Sequence, residues 1–530
     1  MSLLWTAAQC AGAGVVCWIT LMVGRVCLYK RPDERLMLLP ENLFAIFVMS
    51  FWPPKGWSGN MYSHFIPFDR EGSTVMPLYS PLSGEHSIQC ADATALNAIM
   101  NDRKRFVKAP KVYGHLSHFG KNIIGTEGDE WLRHRSVARL AFSEKNNALL
   151  WKETVRILQD WSAEWDAQAL ASGSVNQVTV DFTHTLKEIT LFIIASAGFG
   201  IQFSRSSVAA LKPGYTMSFG TAVFVVIETM FVRIFVPRWL YHLPIKTLHE
   251  SDEAFFNMRR YIDEMIGEAR QKSRQETAAG EAVDLFRRLI AANETEDSSR
   301  LTDDELVANI YAFFLAGHET SSHTLTFAFA LLAMHPDIQD RIFDEASALW
   351  PDTTSEAWTS STMVDYPRLE YTLAALRETL RLFPAVPVLL RVCTADTVLP
   401  RRVRNPTSQE WEPNMSVTLN IHSLHMDPFH WGEDVEDFRP ERFIDTDKYQ
   451  WPRDAWLPFT AGPHVCIGQR FAIIESVCIL ARMVRMYRIA PTPEVARLSK
   501  QEQWKMLTHW TMGMTATPGA VKLVMEKRQR

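Results

Sequence analysis

Cys466 stands in the run Phe459-Thr460-Ala461-Gly462-Pro463-His464-Val465-Cys466-Ile467-Gly468, and an apolar helical pattern over 469–483 follows at once. A helix starting there points its first N–H groups at the sulfur. That lowers a thiol pKa and favours the thiolate, the form that ligates metals. Gly462 and Gly468 permit tight backbone and leave room for something flat against the chain. Taken alone, such a Cys is more often a buried free thiol in a Gly-containing loop. A second reactive run, Leu315-Ala316-Gly317-His318-Glu319-Thr320-Ser321, falls mid-way along a predicted helix. Gly317 costs roughly 1 kcal/mol in a helix interior, so it needs a reason. Ala316 and Gly317 remove bulk where a ligand could press on the backbone. Thr320 can bond the Ala316 carbonyl or open that bond to water. Glu319 beside it completes an acid–alcohol pair able to pass protons. The same residues also suit a kinked helix packed on a neighbour.

The elements that must position these groups read as mostly helical. Thr302-Asp303-Asp304-Glu305 is a capping box opening a long helix that runs to about Met334, before Pro336. Trp131 and Arg135, four apart, share a helix face. Glu378 and Arg381, three apart on a helix from near Arg368, can pair, though an exposed pair is worth little. The segment 87–102 reads as helix, 106–129 as loop, and 150–290 as helices with few reactive groups. Within the last, 219–236 is strongly apolar. The stretch 507–524 alternates weakly around Gly513, Pro518 and Gly519, which predicts a terminal β-hairpin.

The 530 residues are 47% hydrophobic with a net charge of only −5, so a large core is available and nothing favours nucleic acid. Seven scattered cysteines suit a reduced, intracellular chain rather than a disulfide framework. No C-x-x-C, His-Glu-x-x-His or Gly-x-Gly-x-x-Gly argues for zinc or a dinucleotide. Residues 3–24 carry no charge and as a helix would span about 33 Å, enough to cross a bilayer. Arg25, Lys30, Arg31 and Arg35 follow, which puts the bulk of the chain in the cytosol. The expected organisation is a single-pass anchor over 1–30, a proline-containing linker and interfacial segment over 31–60, and one globular domain over 61–530. The endoplasmic reticulum is the expected membrane.

The pattern Phe-x-x-Gly-x-x-x-Cys-x-Gly resembles the haem-binding loop of the cytochromes P450, in which a Cys thiolate is the axial ligand of haem iron. Other segments resemble this family in the same order. They are Trp131-x-x-x-Arg135, Ala316-Gly317-His318-Glu319-Thr320, Glu378-x-x-Arg381 and Pro440-Glu441-Arg442-Phe443. The resemblance implies a mainly α fold with small β-sheets (α+β) and a long central helix over haem b. It implies Cys466 as metal ligand, with Phe459, Gly462, His464 and Gly468 shaping its loop. Trp131, Arg135 and Arg391 would meet the haem propionates, and oxygen would be bound and protonated at Ala316, Gly317, Glu319 and Thr320. Glu378, Arg381 and Arg442 would form a buried brace for the Cys loop. Segments 106–124, 313–316, 386–390 and 512–514 would line the pocket, with 219–236 as a roof touching membrane. One departure stands out: His464 replaces the usual Arg or Lys two residues before the Cys, so a fixed charge is missing there.

The implied activity is monooxygenation of a lipophilic substrate, in secondary metabolism of terpenoid or polyketide type, with a fatty acid as the second candidate. Electrons would come from NADPH through a separate flavoprotein reductase docked on the Cys466 side, since no flavin module is visible. A reductase-independent haem-thiolate isomerase or dehydratase is the alternative within enzymes, and Thr320 argues against it. A non-catalytic haem sensor or carrier is the alternative outside enzymes.

Overall fold

The computed structural model describes residues 35–36, 64–80, 85–142, 144–171, 173, 176–200, 211–276, 285–295, 300–351, 362–402 and 416–528. The expected anchor, most of the linker, and Cys10, Cys17 and Cys27 lie outside the described residues. Among the described residues no helix is long and apolar enough to cross a membrane. The described residues fall into two units, one within 1–112 and 388–427, the other within 113–387 and 428–530.

The first unit is built on a mixed six-stranded sheet. Its order is Arg35–Leu36, Val75–Ser80, Glu85–Cys90, Ser416–Asn420, Val388–Cys393 and Phe106–Lys108. The reading of 87–102 as one helix is corrected here. Glu85–Cys90 is a central strand, bonded antiparallel to Val75–Ser80 and parallel to Ser416–Asn420. Only after Asp92, whose carboxylate accepts the N–H groups of Thr94 and Ala95, does helix Ala93–Asn101 begin. The strand's partners lie far away in sequence, so local periodicity could not reveal it.

The second unit is helical. Six of its helices concern the site: α1 (Gly128–Ala141), α2 (Phe182–Ile193), α3 (Lys246–Glu276), α4 (Asp303–Met334), α5 (Glu370–Leu382) and α6 (Gln469–Met486). The predicted capping box opens α4: Thr302 accepts the Glu305 N–H, and Glu305 accepts that of Thr302. α4 is buried from Glu305 through Leu315 and again from Ser321 through Met334, which makes it the spine of this unit's core. The apolar segment 219–236 is two helices, Phe219–Glu228 and Met230–Phe235, joined at Thr229.

Strands at this unit's margins correct two further readings. Gln177–Asp181 interrupts the helices of 150–290, and Lys522–Lys527 pairs between it and Tyr487–Pro491. The terminal hairpin is therefore shorter than predicted, Trp510–Met512 against Ala516–Pro518. The edge strand Tyr487–Pro491 is closed by one side chain. Gln339 donates to the Ile489 carbonyl at 2.9 Å and accepts its N–H at 2.8 Å, as a neighbouring strand would.

Candidate active site

The Cys466 loop is a tight fold-back. The Cys466 N–H donates to the Phe459 carbonyl at 3.0 Å, and Thr460 Oγ1 donates to the His464 carbonyl at 3.1 Å. Left-handed backbone is carried by Thr460 (φ 64°) and Gly462 (φ 66°). Gly468 has ordinary φ (−89°), and a Cβ there would sit 3.9 Å from the Phe142 ring, so its freedom of conformation is not what the turn uses. The N–H groups of Gly468 and Gln469 do point at the sulfur and lower its pKa, as does nearby Arg135. Burial nevertheless wins and holds the thiol above its usual range. The helix start thus lowers the pKa as expected, but desolvating the sulfur costs more than two amides and one guanidinium return. Cys466 is still accessible to solvent, so its sulfur lies at the floor of a recess rather than in packed core.

Trp131, Arg135 and His464 are brought together. Trp131 is buried, Arg135 lies over its ring at 5.5 Å, and the His464 ring is 4.0 Å away on centroids. His464 Nε2 stands 3.5 Å from the Glu127 carboxylate, at the residue preceding α1. Burial pulls the Arg135 pKa down, against the pull of Cys466. Arg391 belongs to the other unit, on strand Val388–Cys393 opposite Val417, and is buried.

α4 opens to solvent along its middle only at Ala316, Gly317, Glu319 and Thr320; His318 between them is buried. Thr320 Oγ1 donates to the Ala316 carbonyl at 2.7 Å, the bond anticipated from sequence. Burial raises the Glu319 pKa, opposed by Lys187 and a hydrogen bond with Thr515. Gly317 has a reason the sequence did not suggest. A Cβ there would stand 3.2 Å from Ile194 Cδ1, at the end of α2, so the glycine admits a helix as well as thinning the wall.

A family pattern, cytochrome P450, matches residues 40–515. The chain belongs to the cytochrome P450 family. It is 33% identical over 494 residues to cytochrome P450 monooxygenase 124 of Postia placenta, covering 92% of this chain and 90% of that one. It is 26% identical to cytochrome P450 monooxygenase prx9 of Penicillium rubens, over 83% and 79% of the two chains. A phomenoic acid biosynthesis cluster cytochrome P450 monooxygenase of Leptosphaeria maculans is 26% identical over 71% and 69%. This P450 is accordingly an oxidoreductase of the monooxygenase type, and the family's prosthetic group is haem-thiolate iron.

The residues present fit that group. The recess offers one soft sulfur donor. Among the described residues no cluster of three or more His, Cys, Asp or Glu forms a metal site, so protein side chains supply no closed coordination shell. A cation bound directly at the sulfur would supply the stabilisation that burial withholds from the thiolate. Ala316 and Gly317 keep the α4 window free of bulk, and Phe142 edges onto Phe313 at 5.8 Å to keep the surroundings apolar.

The P450 brace residues form a buried group. Arg381 grips Glu378 through two hydrogen bonds of 2.6 and 2.8 Å, and Arg442 Nε stands 3.3 Å from the same carboxylate. Arg442 also donates to the carbonyls of Trp431 and Asp434. Several residues of the site escaped sequence reading. Ser321 acts on the buried Glu475 of α6, lowering its raised pKa; His323 Nδ1 lies 3.0 Å from Thr515; and Thr190 donates to the His318 carbonyl at 3.1 Å. The one usable signal was Glu475, a charged residue inside an apolar helical run.

Proposed function

We propose that this P450 hydroxylates a lipophilic secondary metabolite, with electrons drawn from NADPH through a separate flavoprotein reductase. The window at Ala316, Gly317, Glu319 and Thr320 in an otherwise buried helix carries the reading, together with the recessed Cys466. Bound haem supplies activation of O2 and insertion of one oxygen atom into a C–H bond. Cys466 would ligate the iron, and the N–H groups of Gly468 and Gln469 point at its sulfur and favour its thiolate form. Trp131, Arg135 and His464 offer N–H donors to the anionic edge of the group. Burial raises the Glu319 pKa and so favours its protonated form, against the opposing pull of Lys187. Thr320 Oγ1 can leave the Ala316 carbonyl and turn its O–H into the window as a hydrogen-bond donor, and Phe142 and Phe313 exclude water.

The relative from a biosynthesis cluster supports secondary metabolism as the setting. In this reading residues 1–30 anchor the chain, 31–60 link, and 61–530 catalyse. Trp239, Leu243, Ile245 and Phe256, all exposed, support contact of the second unit with lipid. The test is spectroscopic and kinetic. Carbon monoxide added to the reduced protein should give the red-shifted Soret band of thiolate ligation, and C466S should lose it. Oxygen insertion into a terpenoid or polyketide panel should require both NADPH and reductase. A histidine-type band, or turnover of peroxide substrates without reductase, would overturn the assignment.

A further inference from the structure

The loop 113–127 meets α4 through a buried polar junction that no motif of the site includes. Asn309, on α4, is buried, and its amide is fixed by two neighbours. Oδ1 accepts the Ile123 N–H at 3.0 Å, and Nδ2 donates to the Glu305 carbonyl at 2.6 Å. The same Nδ2 lies 2.8 Å from His134 Nδ1, on α1. An amide N–H2 facing that nitrogen requires Nδ1 to be the unprotonated one, so the ring proton sits on Nε2. Asn309 is seven residues, two turns, before Ala316, on the same face of α4. One side chain thereby joins three parts of the site: the loop, the helix of Trp131 and Arg135, and the window helix.

We propose that Asn309 is a positioning residue, a latch that seats the 113–127 loop on α4, and that it holds only while His134 is neutral. A second proton on His134 would sit on Nδ1 and face the Asn309 N–H2. To accept it the amide must turn over, which presents N–H2 to the Ile123 N–H and breaks the loop's bond. The loop is then held by Phe119 against Tyr311 (4.8 Å) and Phe255 (5.6 Å), contacts that permit sliding.

The charges around His134 are accounted for. Glu305 Oε1 is 3.6 Å from Nε2, but Arg133 grips that carboxylate with both of its terminal nitrogens. Arg133 and Glu130 act from α1 itself, and helix Leu285–Thr295, also packed on α1, carries Arg287 and Arg288. Burial outweighs Glu305 and keeps the His134 pKa below its usual value. The latch is therefore closed at neutral pH and opens on acidification. That the loop lines a substrate pocket rests on the P450 reading; the latch itself does not.

The experiment is hydrogen–deuterium exchange on the full-length, haem-loaded protein at the Ile123 amide, corrected for intrinsic rate, between about pH 5 and 8. Protection in the parent should fall roughly tenfold as His134 titrates, the loss of one buried hydrogen bond. N309L should lack this protection at every pH. In N309D both carboxylate oxygens accept, so Ile123 should stay protected on acidification, and histidine C2 exchange should place the His134 titration higher than in the parent. Parent-like protection in N309L, or the parent's pH dependence in N309D, would overturn the latch; if N309L does not fold, the sign reversed in N309D decides alone. Neither readout needs turnover, so failure of the proposed function leaves the test intact.

Discussion

Glu475 is fully buried on α6, and burial pushes its carboxyl from the ordinary 4.5 up to about 8, with nearby Ser321 opposing. The folded chain thus holds this proton more tightly than the unfolded one. Below pH 4.5 both states are protonated and nothing is lost. As pH rises from there to about 8, ionisation favours the unfolded chain and stability falls, by about 1.4 kcal/mol per pH unit at the steepest. E475Q should remove that slope. Denaturant unfolding at several pH values should show the variant gaining on the parent as pH rises. Parallel curves would mean that the carboxyl is solvated. The Glu378, Arg381 and Arg442 group differs: three charges satisfy one another and neighbouring carbonyls, an arrangement that fixes geometry more than it adds stability.

At the scale of elements, α2 and α4 approach through Gly317. Two small terms compete there. Ala in place of Gly favours a helix by roughly 1 kcal/mol, while the new methyl would press on Ile194 Cδ1 at 3.2 Å. G317A alone should be neutral or slightly destabilising. In an I194V background, where that methyl is gone, G317A should raise stability by about 0.5–1 kcal/mol. A double-mutant cycle on unfolding free energies measures the coupling; a value of zero would assign the glycine to the site wall alone. Thr190 reinforces the approach by donating to the His318 carbonyl, and the π-type turn Ile194–Gly198 continues α2 next to it.

At the scale of the molecule, each unit has its own organising element, a mixed sheet in the first and α4 in the second. The membrane attachment proposed above would depend on two features, the apolar segment of residues 3–24 and the exposed apolar side chains of the second unit. Removing residues 1–30 should shift most of the protein from the membrane pellet to the supernatant without loss of the carbon monoxide band. A remainder that floats with vesicles should be released by W239S with F256S. A full-length chain found in the supernatant would dismiss the anchor.

What the sequence determined by itself is local: the Cys466 turn, the Thr302–Glu305 cap, the Thr320 bond to Ala316, and the helical character of the second unit. Each depends on residues within about a turn of one another, so spacing suffices to read it. Tertiary structure decided the rest. It turned 85–90 into a central strand and sent the last strand to Gln177–Asp181. It gave His464 a partner in Glu127, Gly317 a neighbour in Ile194, and Asn309 its place between Ile123 and His134. A buried polar group must find a partner wherever the fold brings one, and that partner can lie hundreds of residues away. The thiol of Cys466 shows the same division: its motif is written in ten residues, but the burial that governs its charge belongs to the whole unit.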